Sequence, residues 1–214
     1  MFGDYPGLKD GEESTGTTIL ACVYDGGVIL GADTRTTTGS YVANRVTNKI
    51  RPLHDCIYAC CSGSAADTQA IAAYVNYFLS AHSVEIGRLP TVKTAAKLAR
   101  RLCYENKDQL LAGMIIAGWD PVEGGSIFEI PIGGTVIKQR FAMGGSGSIF
   151  LYGFADANYK DDMSREEAKA FISKALSHAM ARDGSSGGCI RLMTIEKGTV
   201  EREFIPGDQL PFGP

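Results

Sequence analysis

Residues 16–36 read GTTILACVYDGGVILGADTRT, and this stretch decides the predicted fold. Two runs rich in apolar and β-branched residues, 16–24 and 28–36, flank the turn sequence Asp25-Gly26-Gly27. Such runs around a glycine-containing turn are typical of an antiparallel hairpin. The stretch therefore predicts two paired strands at the start of the folded part of the chain.

The sequence on the C-terminal side of this hairpin predicts more strands and three helices. Further strands are expected at residues 41–47, 49–53, 56–62, 113–119, 127–132, 136–143, 189–196 and 199–205. Apolar residues at three- and four-residue spacing predict helices at 65–83, from Pro90 to Leu110, and after Ser164. Strands and helices do not alternate, so a doubly wound parallel sheet is disfavoured. The order favours an α+β, four-layer αββα sandwich with two antiparallel sheets between helix layers.

Composition excludes several classes of protein. The chain has 214 residues, 21 Lys+Arg and 24 Asp+Glu, a net charge of −3 and 44% hydrophobic residues, as in a single soluble domain. The charge and the absence of a basic run argue against nucleic-acid binding. No stretch approaches the ~20 apolar residues that a membrane span needs. The N-terminus lacks the apolar core of a signal peptide and is too acidic for a transit peptide.

The usual cofactor and metal motifs are missing from the sequence. The six cysteines form no CxxC pair and no metal spacing, which favours reduced thiols in the cytoplasm or nucleus. There is no phosphate-binding loop and no HExxH motif. His54, His82 and His178 are far apart in sequence and give no support to a Ser-His-Asp triad. We therefore expect no cofactor and no metal.

The first 16 residues differ from the rest of the chain. They contain four acidic residues and one lysine, are rich in glycine, and have no apolar period, whereas the remainder is balanced in charge. Such a leader is expected to be poorly ordered or removed.

Gly16-Thr17, at the junction of the leader and the rest of the chain, is a candidate cleavage and catalytic site. If the chain is cut there, Thr17 has a free amine beside its own hydroxyl, and the amine can act as the base for that nucleophile. An α-amine has a pKa of about 8, much nearer neutrality than that of a lysine. Gly16 has no Cβ, which lets Thr17 approach the preceding carbonyl and make the cut itself. The alternative is that Gly-Thr-Thr simply begins a strand.

Asp33 and Lys49 are candidate partners of Thr17. A three-residue hairpin loop would put Asp33 on the sheet face of Thr17, with Thr17 opposite Arg35, and a two-residue loop would put Asp33 on the other face. Lys49, on a following strand, can pair with Asp33. A buried ammonium near Thr17 would stabilise negative charge on its oxygen. A plain ion pair is the alternative interpretation.

Two loop regions complete the candidate set. At Ser62-Gly63-Ser64 a buried strand gives way to a helix, so backbone N–H groups there can face a developing oxyanion. Ser146, Asp183 and Ser186 lie in glycine-rich stretches and can orient a free amine through hydrogen bonds. In the alternative interpretation, both regions are ordinary loops.

Several segments together resemble a known family. The matching segments are 17–19, 31–39, 44–46, 62–69, 117–120, 144–148 and 182–188. In this order they resemble the beta subunits of the eukaryotic proteasome 20S core, most closely the beta type-1, caspase-like branch, from Gly16 to about Pro211. These subunits belong to the N-terminal-nucleophile hydrolases, whose fold is the αββα sandwich.

The resemblance implies an activity, site residues and partners. It implies a threonine endopeptidase made by autocatalytic cleavage at Gly16-Thr17, with residues 1–16 as propeptide and 17–214 as the mature domain. The residues that match catalytic positions of the family are Thr17, Asp33, Lys49, Gly63, Ser146, Asp183 and Ser186. The implied partners are other alpha and beta subunits, in four stacked seven-membered rings that degrade unfolded, ubiquitin-targeted polypeptides.

The pocket for the side chain before the scissile bond departs from the family pattern. By the same matching, its wall contains Thr36, Thr37, Thr47, Arg51, Cys61, Ala65 and Gln69. Where the beta type-1 branch has an arginine that selects acidic side chains, this chain has Cys61, and a thiol carries no fixed positive charge. Arg51 lies two residues after Lys49, on the same face of a strand. Cys61 therefore weakens the acidic preference unless Arg51 restores it.

Two other functions remain open on the sequence alone. One is a catalytically silent subunit of the same ring, although the chain keeps Thr17, Asp33 and Lys49. The other is a separate N-terminal-nucleophile amidase that acts on a small molecule.

Overall fold

A computed structural model describes residues 16–39 and 41–212 of the chain. Leader residues 1–15, which carry most of the predicted propeptide, lie outside the described residues. The strands are β1 (Ile19–Tyr24), β2 (Gly27–Asp33), β3 (Thr36–Thr38), β4 (Tyr41–Asn44), β5 (Ile50–His54), β6 (Ile57–Gly63), β7 (Ala112–Asp120), β8 (Gly124–Ile130), β9 (Ile137–Gln139), β10 (Phe141–Gly144), β11 (Ile190–Glu196) and β12 (Thr199–Ile205). The helices are α1 (Ala65–Ile86), α2 (Val92–Glu105), α3 (Tyr152–Asn158) and α4 (Arg165–Arg182), with 3₁₀ turns at Ser146–Phe150 and Gly207–Gln209.

The strands form two five-stranded antiparallel sheets and one small hairpin. The first sheet has the order β10-β1-β2-β11-β12, and the second has the order β5-β6-β7-β8-β9. Strands β3 and β4 form the separate hairpin. The predicted α+β class with antiparallel sheets is confirmed.

Three layers of buried side chains hold the sandwich together. One lies between the second sheet and helices α1 and α2, another between the two sheets, and the third between the first sheet and α4. Strand β1 serves two of these layers, because Leu20 faces α4 while Ile19 and Ala21 face the second sheet. A strand buried on both faces is apolar throughout, as its sequence is.

Helix starts follow their capping residues. Ser64 caps α1 directly after β6 ends, so the turn at Gly63 is held between a strand and a helix. A capping box opens α4, with Ser164 N–H donating to Glu167 Oε2 at 2.8 Å.

Two predicted elements differ most in extent from the observed ones. Residues 136–143 do not form one strand, because β9 closes the edge of the second sheet while β10 pairs with β1 in the first. The chain passes between sheets at Arg140, whose carbonyl accepts a hydrogen bond from Val23 N–H at 2.8 Å. Helix α2 ends at Glu105 rather than near Leu110, although Leu110 still packs on the same core. The spacing of apolar residues alone does not show at which residue a helix ends.

Candidate active site

Thr17 lies two residues before β1, at the open end of the hairpin. The hairpin loop has two residues, since Tyr24 pairs with Gly27, so the three-residue alternative is wrong. In a regular strand this register would place Thr17 and Asp33 on opposite faces. However, β1 begins only at Ile19, so strand alternation does not govern Thr17. The two side chains are brought together by a third residue instead.

That third residue is Lys49, directly before β5. Its Nζ lies 2.8 Å from Asp33 Oδ1, 3.0 Å from Thr17 Oγ1 and 2.8 Å from the carbonyl oxygen of Gly16. Thr17, Asp33 and Lys49 are buried, with exposed fractions of 3%, 0% and 7%. A buried ammonium needs several acceptors, and these three oxygens supply them.

Backbone donors fix the Asp33 carboxylate. Its Oδ1 accepts from Thr18 N–H at 2.9 Å, and its Oδ2 accepts from Gly187 N–H at 3.0 Å and Arg35 N–H at 3.2 Å. Sequence reasoning did not find the roles of Thr18 and Gly187. They contribute main-chain groups to the carboxylate, and a main-chain donor leaves no side-chain signature.

Burial is the strongest influence on the titration of this pair. It raises the pKa of Asp33 and lowers the pKa of Lys49, because the charged form of each group is poorly solvated. The attraction between the two charges opposes both shifts. The contacts of Lys49 with Asp33 and with two further oxygens favour its charged form beside the Thr17 hydroxyl.

A second polar group holds the nitrogen of Thr17. Thr17 N–H donates to Ser146 Oγ at 3.1 Å, and Ser146 Oγ donates to Asp183 Oδ2 at 2.7 Å. Ser186 Oγ donates to the same carboxylate oxygen at 2.6 Å and lies 2.8 Å from Thr18 Oγ1. Asp183 directly follows α4, and Ser146 opens a 3₁₀ turn after β10. Residues from three distant parts of the sequence thus form one hydrogen-bond network that reaches the Thr17 nitrogen through Ser146.

Gly16 fits closely into the site. Its carbonyl oxygen accepts from Thr17 Oγ1 at 2.7 Å as well as from Lys49 Nζ. A Cβ at this position would lie 1.9 Å from Ser185 Cβ and 2.6 Å from the Ser185 carbonyl oxygen. Only glycine can occupy this position without a shift of the neighbouring loop.

Gly63 ends β6 and lines the same pocket as Thr17. Its φ of +99° is in the region that favours glycine, and a Cβ there would lie 2.3 Å from the carbonyl oxygen of Leu111. The position expected to donate to an oxyanion is therefore held in a conformation that other residues rarely adopt.

A small pocket, open to solvent, lies beside Thr17. Its lining consists of Thr17, Thr36, Thr47, Asn48, Lys49, Arg51, Cys61, Gly63, Ala65, Thr68 and Gln69. Six of the seven expected wall positions line it, while Thr37 instead accepts a hydrogen bond from Gly16 N–H at 3.5 Å. Asn48 and Thr68 were missed by sequence reasoning. Thr68 offered a signal, since it lies one helical turn after Ser64.

The thiol of Cys61 is expected to resist alkylation in the folded subunit. Burial raises its pKa to about 12, although the charge of Arg51 works in the opposite direction. At pH 7.5 the reactive thiolate is then less than about one part in ten thousand. We expect iodoacetamide to leave Cys61 unmodified in the folded protein and to modify it after unfolding in urea, as read by peptide mass spectrometry. Equal rates in the two states would contradict this expectation.

The assembled groups are those of nucleophilic acyl transfer. They include a buried hydroxyl, a lysine–carboxylate pair in contact with it, and a hydrogen-bond network around the adjacent nitrogen. In residues 16–39 and 41–212 no three metal-ligating side chains cluster together. No helix in the same part of the chain has the length and hydrophobicity to cross a membrane.

Comparisons with known proteins point to one family. The profile described as "Proteasome subunit" matches residues 13–195. The chain is 56% identical over 206 residues to proteasome subunit beta type-6 of Dictyostelium discoideum, which covers 96% of each chain. It is 54% identical over 201 residues to beta type-6 of Arabidopsis thaliana, covering 94% of this chain and 86% of the relative. Beta type-1 of Saccharomyces cerevisiae is 52% identical over 202 residues, covering 94% of each.

Proposed function

The chain belongs to the proteasome subunit family as a beta subunit of the 20S core, and on this premise we propose that it is an active threonine endopeptidase. Thr17 is the nucleophile, and it becomes the first residue after cleavage of the Gly16-Thr17 bond. The substrates are unfolded polypeptides that reach the enclosed site within the ring assembly.

One observation carries this proposal: the ammonium of Lys49 lies 3.0 Å from the hydroxyl oxygen of Thr17 while it is paired with Asp33. A positive charge at this distance in a buried site stabilises negative charge that develops on the hydroxyl oxygen. A subunit that served only as scaffold would have no need of a buried ion pair against a threonine hydroxyl. Burying charge is costly, and an apolar core does not require it.

The same geometry supports the proposed cut at Gly16-Thr17. The Thr17 hydroxyl attacks the carbonyl carbon of Gly16, and the acyl group passes from nitrogen to oxygen. Water then hydrolyses the resulting ester and releases residues 1–16. Lys49, which already donates to the Gly16 carbonyl oxygen at 2.8 Å, stabilises the oxyanion of this step.

Peptide hydrolysis reuses the group that the cut exposes. The new amine of Thr17 stays beside Ser146 Oγ and takes the proton from the hydroxyl as that hydroxyl attacks the substrate carbonyl. The Gly63 N–H donates to the oxyanion, and the amine returns the proton to the leaving nitrogen. Water then hydrolyses the acyl-enzyme ester. Hydrogen bonds to Asp183 keep Ser146 and Ser186 in position around the first residues of the mature chain.

Gly16→Ala is expected to block removal of the leader. The new methyl group would meet Ser185 at 1.9 Å, so the scissile carbonyl moves away from the Thr17 hydroxyl. A misplacement of about 1 Å costs on the order of 100-fold in rate. Intact-mass measurement of the subunit in assembled particles checks this result. Gly184→Ala, whose Cβ would meet nothing within 4 Å, is the matched control and is expected to process normally.

A peptide epoxyketone tests the proposed function directly, because this reagent bonds to both the hydroxyl and the free amine of an N-terminal threonine. We expect one adduct on Thr17 of purified core particles and none in Thr17→Ala particles. Absence of the adduct, together with retention of residues 1–16 in the intact mass, would instead identify a catalytically silent ring subunit.

We further propose that the subunit works in the cytoplasm and nucleus, within four stacked seven-membered rings of alpha and beta subunits. Its six cysteines are all free thiols, which suits a reducing compartment. Fractionation of cells that carry a tagged copy, followed by native electrophoresis, tests both the compartment and the assembly. A tagged copy found only in other compartments or only as monomer would contradict this proposal.

A further inference from the structure

Arg51 lies in the same pocket as the candidate nucleophile. It lies two residues after Lys49, which directly precedes β5, and both residues line the pocket. On the neighbouring strand β6, Cys61 is opposite Lys49 and donates its N–H to the Lys49 carbonyl, while Ala59 pairs with Arg51. Arg51 therefore occupies the next position along the strand from the catalytic lysine, half-buried in the pocket wall.

The pocket holds two cations, and one of them is already paired. Lys49 is paired with Asp33 at 2.8 Å and also donates to two other oxygens. The Arg51 side chain, by contrast, has neither an ion pair nor a hydrogen bond with any part of residues 16–39 and 41–212. An arginine keeps its charge at all physiological pH values and presents five N–H donors. A half-buried guanidinium in such a position gains from an anionic partner.

The rest of the pocket wall does not supply that partner. Its other side chains are hydroxyls, carboxamides, a methyl group and a thiol, and no carboxylate of the described residues lines it. The Cys61 thiol stays neutral near pH 7 because burial raises its pKa to about 12. The net charge of the wall, after the Lys49–Asp33 pair is set aside, is that of Arg51.

We propose that Arg51 is the specificity-determining residue of this pocket, and that it selects polypeptides with aspartate or glutamate immediately before the scissile bond. This inference rests on the proposed peptidase function. A carboxylate that enters the pocket receives charge-assisted, two-pronged hydrogen bonds from the guanidinium. A leucine in the same place leaves the guanidinium partly desolvated and unpaired. In this chain, therefore, the positive charge that binds an acidic side chain is on Arg51 of β5. Residue 61 of β6, a cysteine, does not supply it.

Core particles with substitutions at Arg51 test the inference. Fluorogenic tetrapeptides that end in Asp, Glu, Leu or Lys before the reporter are compared by kcat/KM, and the background from other subunits is measured with Thr17→Ala particles. For Arg51→Gln we expect kcat/KM to fall about 10- to 100-fold for the Asp and Glu peptides and to change little for the Leu peptide. Arg51→Lys keeps a charge and is expected to restore part of the loss. Arg51→Glu is expected to favour the Lys peptide.

A matched control is Arg88→Gln, which removes an exposed arginine after α1 that does not line the pocket. It is expected to leave all four rates unchanged. An Asp-to-Leu ratio that stays within twofold in Arg51→Gln particles would overturn the inference. Epoxyketone labelling of Thr17 in the same particles separates the two proposals. Labelling with an unchanged ratio refutes only the role of Arg51, whereas the absence of labelling in unsubstituted particles refutes the peptidase function as well.

Discussion

Thr17→Ala is expected to abolish both removal of the leader and peptide hydrolysis by this subunit. The substitution removes the proposed nucleophile of both reactions, so the loss should be roughly 10⁴-fold or more. The substituted subunit should keep residues 1–16 in assembled particles, as read by intact mass. Fluorogenic peptides selective for this subunit should give no signal above that of the other subunits.

Thr17→Ser gives the matched comparison. It keeps a hydroxyl and, after cleavage, a free amine, and it removes a methyl group from a buried position. We expect cleavage and hydrolysis to persist at reduced rates. Equal rates in Thr17→Ala and unsubstituted particles would mean that another group carries the reaction.

Lys49→Ala is expected to produce the second large loss. Three oxygen atoms depend on this ammonium, among them Thr17 Oγ1 and the carbonyl of Gly16. Removal of a buried charge that stabilises the developing oxyanion should lower kcat/KM roughly 10³-fold and slow removal of the leader. Lys97→Ala, on the exposed face of α2, is the control and should leave the rates unchanged.

The same substitution also affects folding. It leaves the Asp33 carboxylate buried without its cation, which costs about 3–5 kcal/mol. The double variant Asp33→Asn, Lys49→Ala removes the unpaired charge and separates the two effects. We expect it to assemble better than Lys49→Ala, as judged by native electrophoresis, and to remain inactive. Recovery of activity in the double variant would contradict the role given to Lys49.

The hairpin and the sandwich could be predicted because their signals are local. Alternating or continuous apolar runs mark the strands, and a glycine turn and two serine caps mark where elements begin. The contact between Lys49 and Thr17 could be anticipated only in part. The predicted cluster depended on a three-residue loop, whereas the actual loop has two residues and the cluster forms because β1 begins after Thr17.

Other features depend on tertiary structure that spacing does not encode. The run at 136–143 has the composition of one strand, but it divides between two sheets because the chain crosses the sandwich at Arg140. Ser146 and Asp183 are 37 residues apart and meet at one hydrogen bond. Their glycine-rich surroundings suggested that both orient a free amine, but no spacing in the sequence predicts their contact. The donors on Asp33 that come from Thr18 and Gly187 are main-chain groups, which any residue type except proline could have supplied.

N-terminal sequencing of this subunit, taken from active core particles, tests the central claim most directly. The account predicts that the mature chain begins Thr-Thr-Ile, with Thr17 as its first residue. A chain that begins Met-Phe-Gly, in particles whose peptide hydrolysis is still lost on substitution of this subunit's Lys49, would contradict it.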